Sequence, residues 1–256
     1  MARDGLPDLT GSVALVTGAA GGIGAGIAER FAVAGAAVVV HYRTSAERAA
    51  AVAADIVGRG GRAVAVQGDV TDADECASVV DVALDRFGRL DAVVANAGVQ
   101  PVAELATMTV ADWRHVVDTN LTGTFATVQA AAAVLRIGGG SITLVASIEG
   151  RQPAAAHAHY AAAKAGVIQL ARSGALEFGR DGIRVNSVSP GLIWRDGLDT
   201  SWPDGVARWR ATAPLERLGR AEDVGNACVF LASPMAAWIT GHDLVIDGGM
   251  SAHPPW

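Results

Sequence analysis

Two residues in the run HAHYAAAKAG, Tyr160 and Lys164, have the chemistry of a proton donor and its tuner. Alanine is the best helix former, so the run is predicted helical, and side chains four apart project from one helix face. A phenol with a reference pKa of about 10 is a weak acid near neutrality, but an ammonium beside it favours the phenolate and lowers that value. By itself the spacing is also what a solvated helix produces by chance. A second chemical feature stands upstream, where VALVT is followed by TGAAGGIGAGIA. Gly18, Gly22 and Gly24 let the chain turn tightly, approach a pyrophosphate closely and open a helix whose N-terminus faces it. Ala20 and Ile23 lie between them and join the expected cofactor contacts.

These groups need elements to hold them. Seven β-rich runs recur along the chain, at 13–17, 37–41, 63–67, 91–95, 141–146, 183–188 and 243–247. About 20 to 40 residues separate most of them, enough for a helix that returns the chain parallel. The near-continuous apolar strands predict a sheet buried on both faces. The expected fold is therefore an α/β Rossmann fold in a single domain over 1–256: a doubly wound, parallel, seven-stranded sheet with helices on both faces. Two long helices are expected over roughly 112–136 and 157–179. One stretch breaks the rhythm: residues 190–220 hold glycines, prolines, charges and three tryptophans, Trp194, Trp202 and Trp209, and read as an insertion after the sixth strand.

Composition excludes other classes. The formal net charge of -6, without a Lys/Arg cluster, argues against a nucleic-acid surface. Cys76 and Cys228 lie far apart with no metal-ligand spacing, so neither a disulfide framework nor a metal site is expected, and a reducing cytoplasm fits. The N-terminal residues lack an apolar leader core, and the charge-free run 9–28 is broken by glycines, so no membrane segment is expected.

The glycine spacing is T-G-x-x-x-G-x-G, and with it the chain resembles the short-chain dehydrogenase/reductase family. Further marks fall in order: Asp69-Val70, Asn96-Ala97-Gly98, Asn120, Ser147, Tyr160-x-x-x-Lys164 and Pro190-Gly191. Ser147 stands thirteen residues before Tyr160, the family's usual interval. The resemblance spans nearly the whole chain and implies an active site of Asn120, Ser147, Tyr160 and Lys164. Ser147, at the carboxyl end of a parallel strand, is expected to donate to a substrate carbonyl, and Tyr160 to protonate it as a nicotinamide delivers hydride. Lys164 is expected to lower the tyrosine pKa and to grip the nicotinamide ribose, and Asn120 to bend its helix and hold a relay water. The resemblance further implies that Asp69 contacts the adenine, with Val70 beside it, that Asn96, Ala97 and Gly98 pack around the adenosine half, and that the chain forms a homotetramer through its two long helices.

Cofactor choice is read at the end of the second strand, where an acid would bind ribose hydroxyls and repel a 2′-phosphate. That position has no acid here. Arg43, Thr44 and Ser45 offer a cation and two hydroxyls instead, which favours NADP(H). Three departures from the family pattern stand out: Ala95 replaces an asparagine, no threonine follows Pro190-Gly191 closely, and Glu149 occupies a place often held by a small residue. The carboxamide is then expected on the backbone at Ile193, and Glu149 is expected chiefly as a solvated loop residue.

The reading that follows is an NADPH-dependent ketoreductase acting on a small-molecule ketone. Residues 190–220 are read as a substrate lid, with Leu192, Trp194 and Trp202, together with Glu149 and His157, toward substrate. Flat indole surface suits a polycyclic ketone, and the wording of SIEGRQP and PGLIWRDGLD resembles ketoreductases of angucycline-type aromatic polyketides. The alternatives are a general reductase or dehydrogenase of a 3-oxoacyl thioester, steroid or sugar, and, in a different class, a non-catalytic dinucleotide-binding regulatory protein.

Overall fold

The computed structural model describes residues 5–252. Its strands are β1 (Val13–Val16), β2 (Ala37–Tyr42), β3 (Arg62–Gln67), β4 (Ala92–Ala95), β5 (Gly140–Val145), β6 (Ile183–Pro190) and β7 (Asp243–Ile246). Its helices are α1 (Gly22–Val33), α2 (Ala46–Gly58), α3 (Ala73–Phe87), α4 (Val110–Val117), α5 (Gly123–Leu135), α6 (Ala158–Phe178), α7 (Leu198–Ser201), α8 (Pro203–Thr212) and α9 (Ala221–Ala232). The seven strands form one sheet in the order β3-β2-β1-β4-β5-β6-β7, and every pairing is parallel. The seven expected strands are all present. The four residues at each end, including the end of the tail, lie outside the described residues.

Alternation along the strands divides the apolar core in two. Ala14, Val16, Val38 and Val40 face α1, α2 and α9 through Ile27, Phe31, Ile56 and Val229. Val13, Leu15, Ala37 and Val39 face α3, α5 and α6 through Val80, Ala131 and Val167. A sheet covered on both faces has nowhere to expose side chains except at its edges, so its ligands are met at strand ends. The order reverses between β1 and β4, which opens a crevice above their carboxyl ends.

The rim of that crevice is set by close packing. A Cβ on Gly24 would come within 2.6 Å of the Asn96 side chain and collide with the Gly18 carbonyl, so only glycine lets α1 start this near the end of β1. The long helix expected after β4 is present, but α4 and α5 are joined by a π-helical turn, Asp118–Thr122, with Asn120 at its centre. Such turns interrupt the regular i to i−4 ladder and shift side chains around the helix.

On the far side of the site, the buried carboxylate of Asp243 accepts from Ser187 Oγ at 2.7 Å and Ser189 Oγ at 2.8 Å on β6. Its other oxygen receives Arg151 Nε at 2.9 Å and Nη2 at 2.8 Å. This joins β7, β6 and the loop after β5. Asp243→Ala leaves two buried hydroxyls without their acceptor and is expected to cost roughly 2–4 kcal/mol. A urea unfolding midpoint that falls at unchanged m-value checks it.

Candidate active site

The site begins two residues past β5. Ser147 is buried, with extended backbone, and its Oγ accepts the Glu149 N–H at 3.1 Å to cap the short turn Ile148–Gly150. Its own O–H is left to donate. Tyr160 lies on the first turn of α6, with Ser147 near enough to its phenol to pull on its titration. One turn on, the buried Lys164 donates from Nζ to the Val145 carbonyl at 2.6 Å, and Nζ stands 5.6 Å from the centroid of the Tyr160 ring. The expected serine, tyrosine and lysine therefore converge at the carboxyl end of β5.

The electrostatics differ from the expectation. Burial pushes the Tyr160 pKa up to about 12; Ser147 pulls it down, and the Glu149 charge adds to the rise. Lys164 Nζ is committed to the Val145 carbonyl and stands 5.6 Å from the centre of the Tyr160 ring. Burial also pushes Lys164 itself down to about 8. Asn120, fully buried, gives both ends of its amide to one residue: Nδ2 donates to Val99 O and Oδ1 accepts Val99 N–H, each at 2.7 Å. Its carbonyl accepts Thr124 Oγ1 at 2.7 Å. In place of a side chain free to hold a relay water, the structure has a clamp between the π turn and the loop after β4. Gly98 serves that clamp, since a Cβ there would meet Asn120 Oδ1 at 2.7 Å.

The residues expected to hold the cofactor fall at the carboxyl ends of the strands and in the loops that follow them. Gly18 and Gly22 take positive φ, 63° and 54°, which glycine alone adopts freely. The Asn96 side chain is spent on the glycine-rich loop: its Nδ2 donates to Thr17 O at 2.9 Å and Gly18 O at 3.2 Å. Thr17 Oγ1 accepts from the amides of Asn96 and Ala97 at 2.9 and 3.0 Å. Asn96 and Thr17 thus lace β4 to the glycine-rich loop. Asp69 accepts Thr71 N–H at 2.9 Å and Oγ1 at 2.8 Å, bonds that hold its carboxyl below the usual range, and Arg43 Nη1 stands 3.8 Å from its other oxygen. Thr44 and Ser45 are exposed at the start of α2, and the Ser45 hydroxyl makes no capping bond to that helix. Val70 is buried against Gly123. Pro190 ends β6, and Gly191 donates to Ile246 O at 2.9 Å.

Ile193 pairs with Gly219 in a parallel bridge made through its neighbours: Gly219 N–H donates to Leu192 O at 3.0 Å and Trp194 N–H to Gly219 O at 2.8 Å. In a parallel bridge of this kind the N–H and C=O of Ile193 itself point to the opposite side. The pairing closes the base of the excursion that carries α7 and α8, which has its own cluster of Leu198, Val206 and Leu218, with Leu192 and Trp209 packed against it. Of the three tryptophans, Trp209 packs inward, whereas Trp194 and Trp202, the two assigned to substrate, remain 49% and 48% exposed. The Trp202 ring covers Gly205 on the first turn of α8, which accounts for its outward seat.

Glu149 also departs from its expected place. It is 17% exposed rather than solvated, with Oε1 accepting from Gln100 Nε2 at 2.9 Å and Oε2 bonded to His157 Nδ1 at 3.0 Å. The His157 ring meets Tyr160 edge-on, centroids 6.2 Å apart. Gln100 and His41 were not singled out from the sequence: isolated polar residues beside strand ends carry no spacing signal. A groove of about 550 Å³ lined by Glu29, Asp55, Arg59 and Arg62 holds none of these residues. Among the described residues there is no cluster that would hold a metal ion, and no helix is long and apolar enough to cross a membrane. Both cysteines are buried and free.

A family model described as enoyl-(acyl carrier protein) reductase matches residues 18–251. The chain belongs to the short-chain dehydrogenase/reductase family. It is 41% identical to a 3-oxoacyl-[acyl-carrier-protein] reductase of Synechocystis sp., over 94% of this chain and 98% of that one. It is 42% identical to an L-rhamnose 1-dehydrogenase (NAD(P)(+)) of Sphingomonas sp., over 94% and 97%. A crystal structure of a short-chain type dehydrogenase/reductase from Mycobacterium marinum superposes with a TM-score of 0.88 at 38% identity, covering 96% of this chain and 97% of that one. This short-chain dehydrogenase/reductase is thus an oxidoreductase acting on alcohol and ketone groups.

The buried lysine sets a pH test. With its pKa lowered from 10.5 to about 8, Lys164 binds fewer protons folded than unfolded between those values, so folded stability rises with pH across that window. Lys164→Met removes that dependence. Wild type should gain on the variant by up to roughly 3 kcal/mol between pH 8 and 10.5. Tyr160 has the opposite sign above pH 10 and is present in both proteins. Paired unfolding curves at pH 7.5 and 10 check the slope.

Proposed function

We propose that this protein is an NADPH-dependent ketoreductase in which Ser147, Tyr160 and Lys164 do the proton chemistry. The observation that carries the proposal is their convergence at the end of β5, beside the crevice rimmed by Gly18, Gly22 and Gly24. The residues present suit a dinucleotide: a cradle that a Cβ would fill, an outward-facing backbone at Ile193, and Arg43, Thr44 and Ser45 at the N-terminus of α2, where a 2′-phosphate is favoured. When bound there, NADPH supplies the hydride that the carbonyl carbon receives.

Ser147 donates its O–H to the carbonyl oxygen and polarises it. Tyr160 transfers its proton to that oxygen as negative charge develops, and a phenol held near 12 is fully protonated at neutrality, the state this direction needs. The alcohol leaves with the added hydride and proton, and the tyrosinate is reprotonated from solvent. Lys164 has two N–H donors beyond the one given to Val145 and grips the nicotinamide ribose. Asn120 acts through the backbone, fixing Val99 at the rim. Phe125 on α5 and Leu176 on α6 stand exposed, which supports assembly into a tetramer through those helices.

For substrate, the general reading is preferred to the polycyclic one. The polyketide expectation drew on Trp194 and Trp202, which are half exposed, and the relatives named above bear 3-oxoacyl and sugar names. A specific observation favours a hydroxylated substrate within that range: Glu149, braced by Gln100 and His157 beside Tyr160, offers carboxylate lone pairs to substrate hydroxyls. Assaying NADPH oxidation with hydroxylated ring ketones, acetoacetyl thioesters and polycyclic quinones ranks the three.

Tyr160→Phe is expected to lower kcat by at least about 100-fold while NADPH affinity, read by nicotinamide fluorescence, is unchanged. A variant keeping a tenth of wild-type turnover overturns the assignment. Arg43→Ala is expected to raise KM for NADPH by roughly 1.5–3 kcal/mol and to leave KM for NADH nearly unaltered. Equal effects on the two cofactors reject the 2′-phosphate role.

A further inference from the structure

His41 lies near the end of β2, 2% exposed, and is used by none of the chemistry above. It takes two consecutive amides of the glycine-rich loop. Gly18 N–H donates to its ring Nδ1 at 3.1 Å, and Ala19 N–H donates to its backbone carbonyl at 2.8 Å. The other ring nitrogen, Nε2, stands 2.9 Å from the carbonyl of Gly68, the residue before Asp69. A backbone N–H can only donate and a carbonyl can only accept, so the partners fix the ring as neutral, with Nδ1 bare and the proton on Nε2.

We propose that His41 is a positioning residue that holds the glycine-rich loop in its dinucleotide-binding shape, and that cofactor affinity falls in acid when this ring takes up a second proton. The proposal rests on the reading that this loop holds NADPH. A second proton puts N–H against the Gly18 N–H, turns an acceptor into a competing donor and leaves a charge in a buried site. The N–H of the loop's first glycine then loses its acceptor, leaving only the Asn96 bond to its carbonyl, and the loop loses its link through the ring to the Asp69 side of the crevice.

The groups around the ring set where this happens. Burial disfavours the charged ring and lowers its pKa below the ordinary histidine value of 6.5, whereas the Gly68 bond and the charges of Asp69, after β3, and Glu75, on α3, push the other way. The Cys76 thiol, on α3, lines the same small space and is itself pushed up by burial. Arg43, two residues along the same chain, faces Asp69 at 3.8 Å. The transition therefore falls on the acid side of 6.5.

The test compares wild type with His41→Asn, whose Oδ1 can accept the Gly18 N–H and does not titrate, and with His41→Leu, which has no acceptor. Dissociation constants for NADPH and NADH are measured by nicotinamide fluorescence from pH 7.5 to 5. Wild-type Kd should rise toward tenfold per pH unit below the transition. His41→Asn should keep near wild-type affinity at pH 7.5 and lack that rise with NADH, which has no 2′-phosphate to titrate. His41→Leu should bind at least several-fold more weakly throughout. Parallel pH profiles for wild type and His41→Asn overturn the proposal, and so does wild-type affinity in His41→Leu. Should His41→Leu fail to fold, the Asn comparison decides. The Gly18 amide nitrogen shift in cofactor-free protein gives an independent readout: it should titrate together with the His41 ring, and a shift that stays flat while the ring protonates overturns the proposal. Absence of dinucleotide binding at every pH sinks the cofactor reading instead, and the Gly18 shift still judges the ring's hold on the loop.

Discussion

One hydrogen bond, from Lys164 Nζ to the Val145 carbonyl, fixes the relative places of the three reactive side chains. Val145 ends β5 and Ser147 follows two residues later; Lys164 is on α6 and Tyr160 precedes it by one turn. Pinning the lysine to the strand end therefore sets the phenol beside the serine hydroxyl. An ammonium in so buried a place is costly, and the carbonyl together with the face of the Tyr160 ring offsets part of that cost. The rest appears as the lowered lysine pKa, so the geometry of the site and its titration have one origin.

The fold was legible because its signal is repeated. Apolar runs such as AVVVH and IRVNSV, each bounded by glycine or a polar cluster, give every strand, and a parallel sheet follows from the helix-length gaps. That Ser147, Tyr160 and Lys164 come together was legible too, since they stand at fixed intervals and the topology leaves them one edge to occupy. What escaped was orientation. A four-residue spacing puts Lys164 and Tyr160 on one helix face but says nothing of where Nζ ends, and a strand carbonyl took it. Glu149 read as a loop residue because neither Gln100 nor His157 is near enough in sequence to announce a partner. Trp209, on α8, packs on the cluster of the excursion while Trp202, just before α8, lies over Gly205, a difference that depends on a packing that composition does not encode.

The polar residues around the glycine-rich loop share a function. Thr17, Asn96 and His41 direct nearly all their hydrogen bonds at the backbone of the loops around the crevice, not at the crevice itself. The glycines that allow those loops their shape leave them without side chains to hold it, and neighbouring strands supply the missing restraint from behind. Conformational freedom and its correction thus sit on different elements, with the correction built into the stiffer one.

The bridge between Ile193 and Gly219 has an evolutionary reading. It closes a chain excursion at its root, and the residues beyond it form a hydrophobic cluster of their own. Past the seam the excursion touches the body of the domain at few points, Trp209 over Gly191 after β6 and Leu215 N–H on the Gly248 carbonyl after β7, and the residues between those points are the ones free to change in length and composition. A scaffold with that seam is suited to diversification: one hydride-handling centre is inherited, and new recognition is acquired by rewriting about two dozen residues between two fixed points.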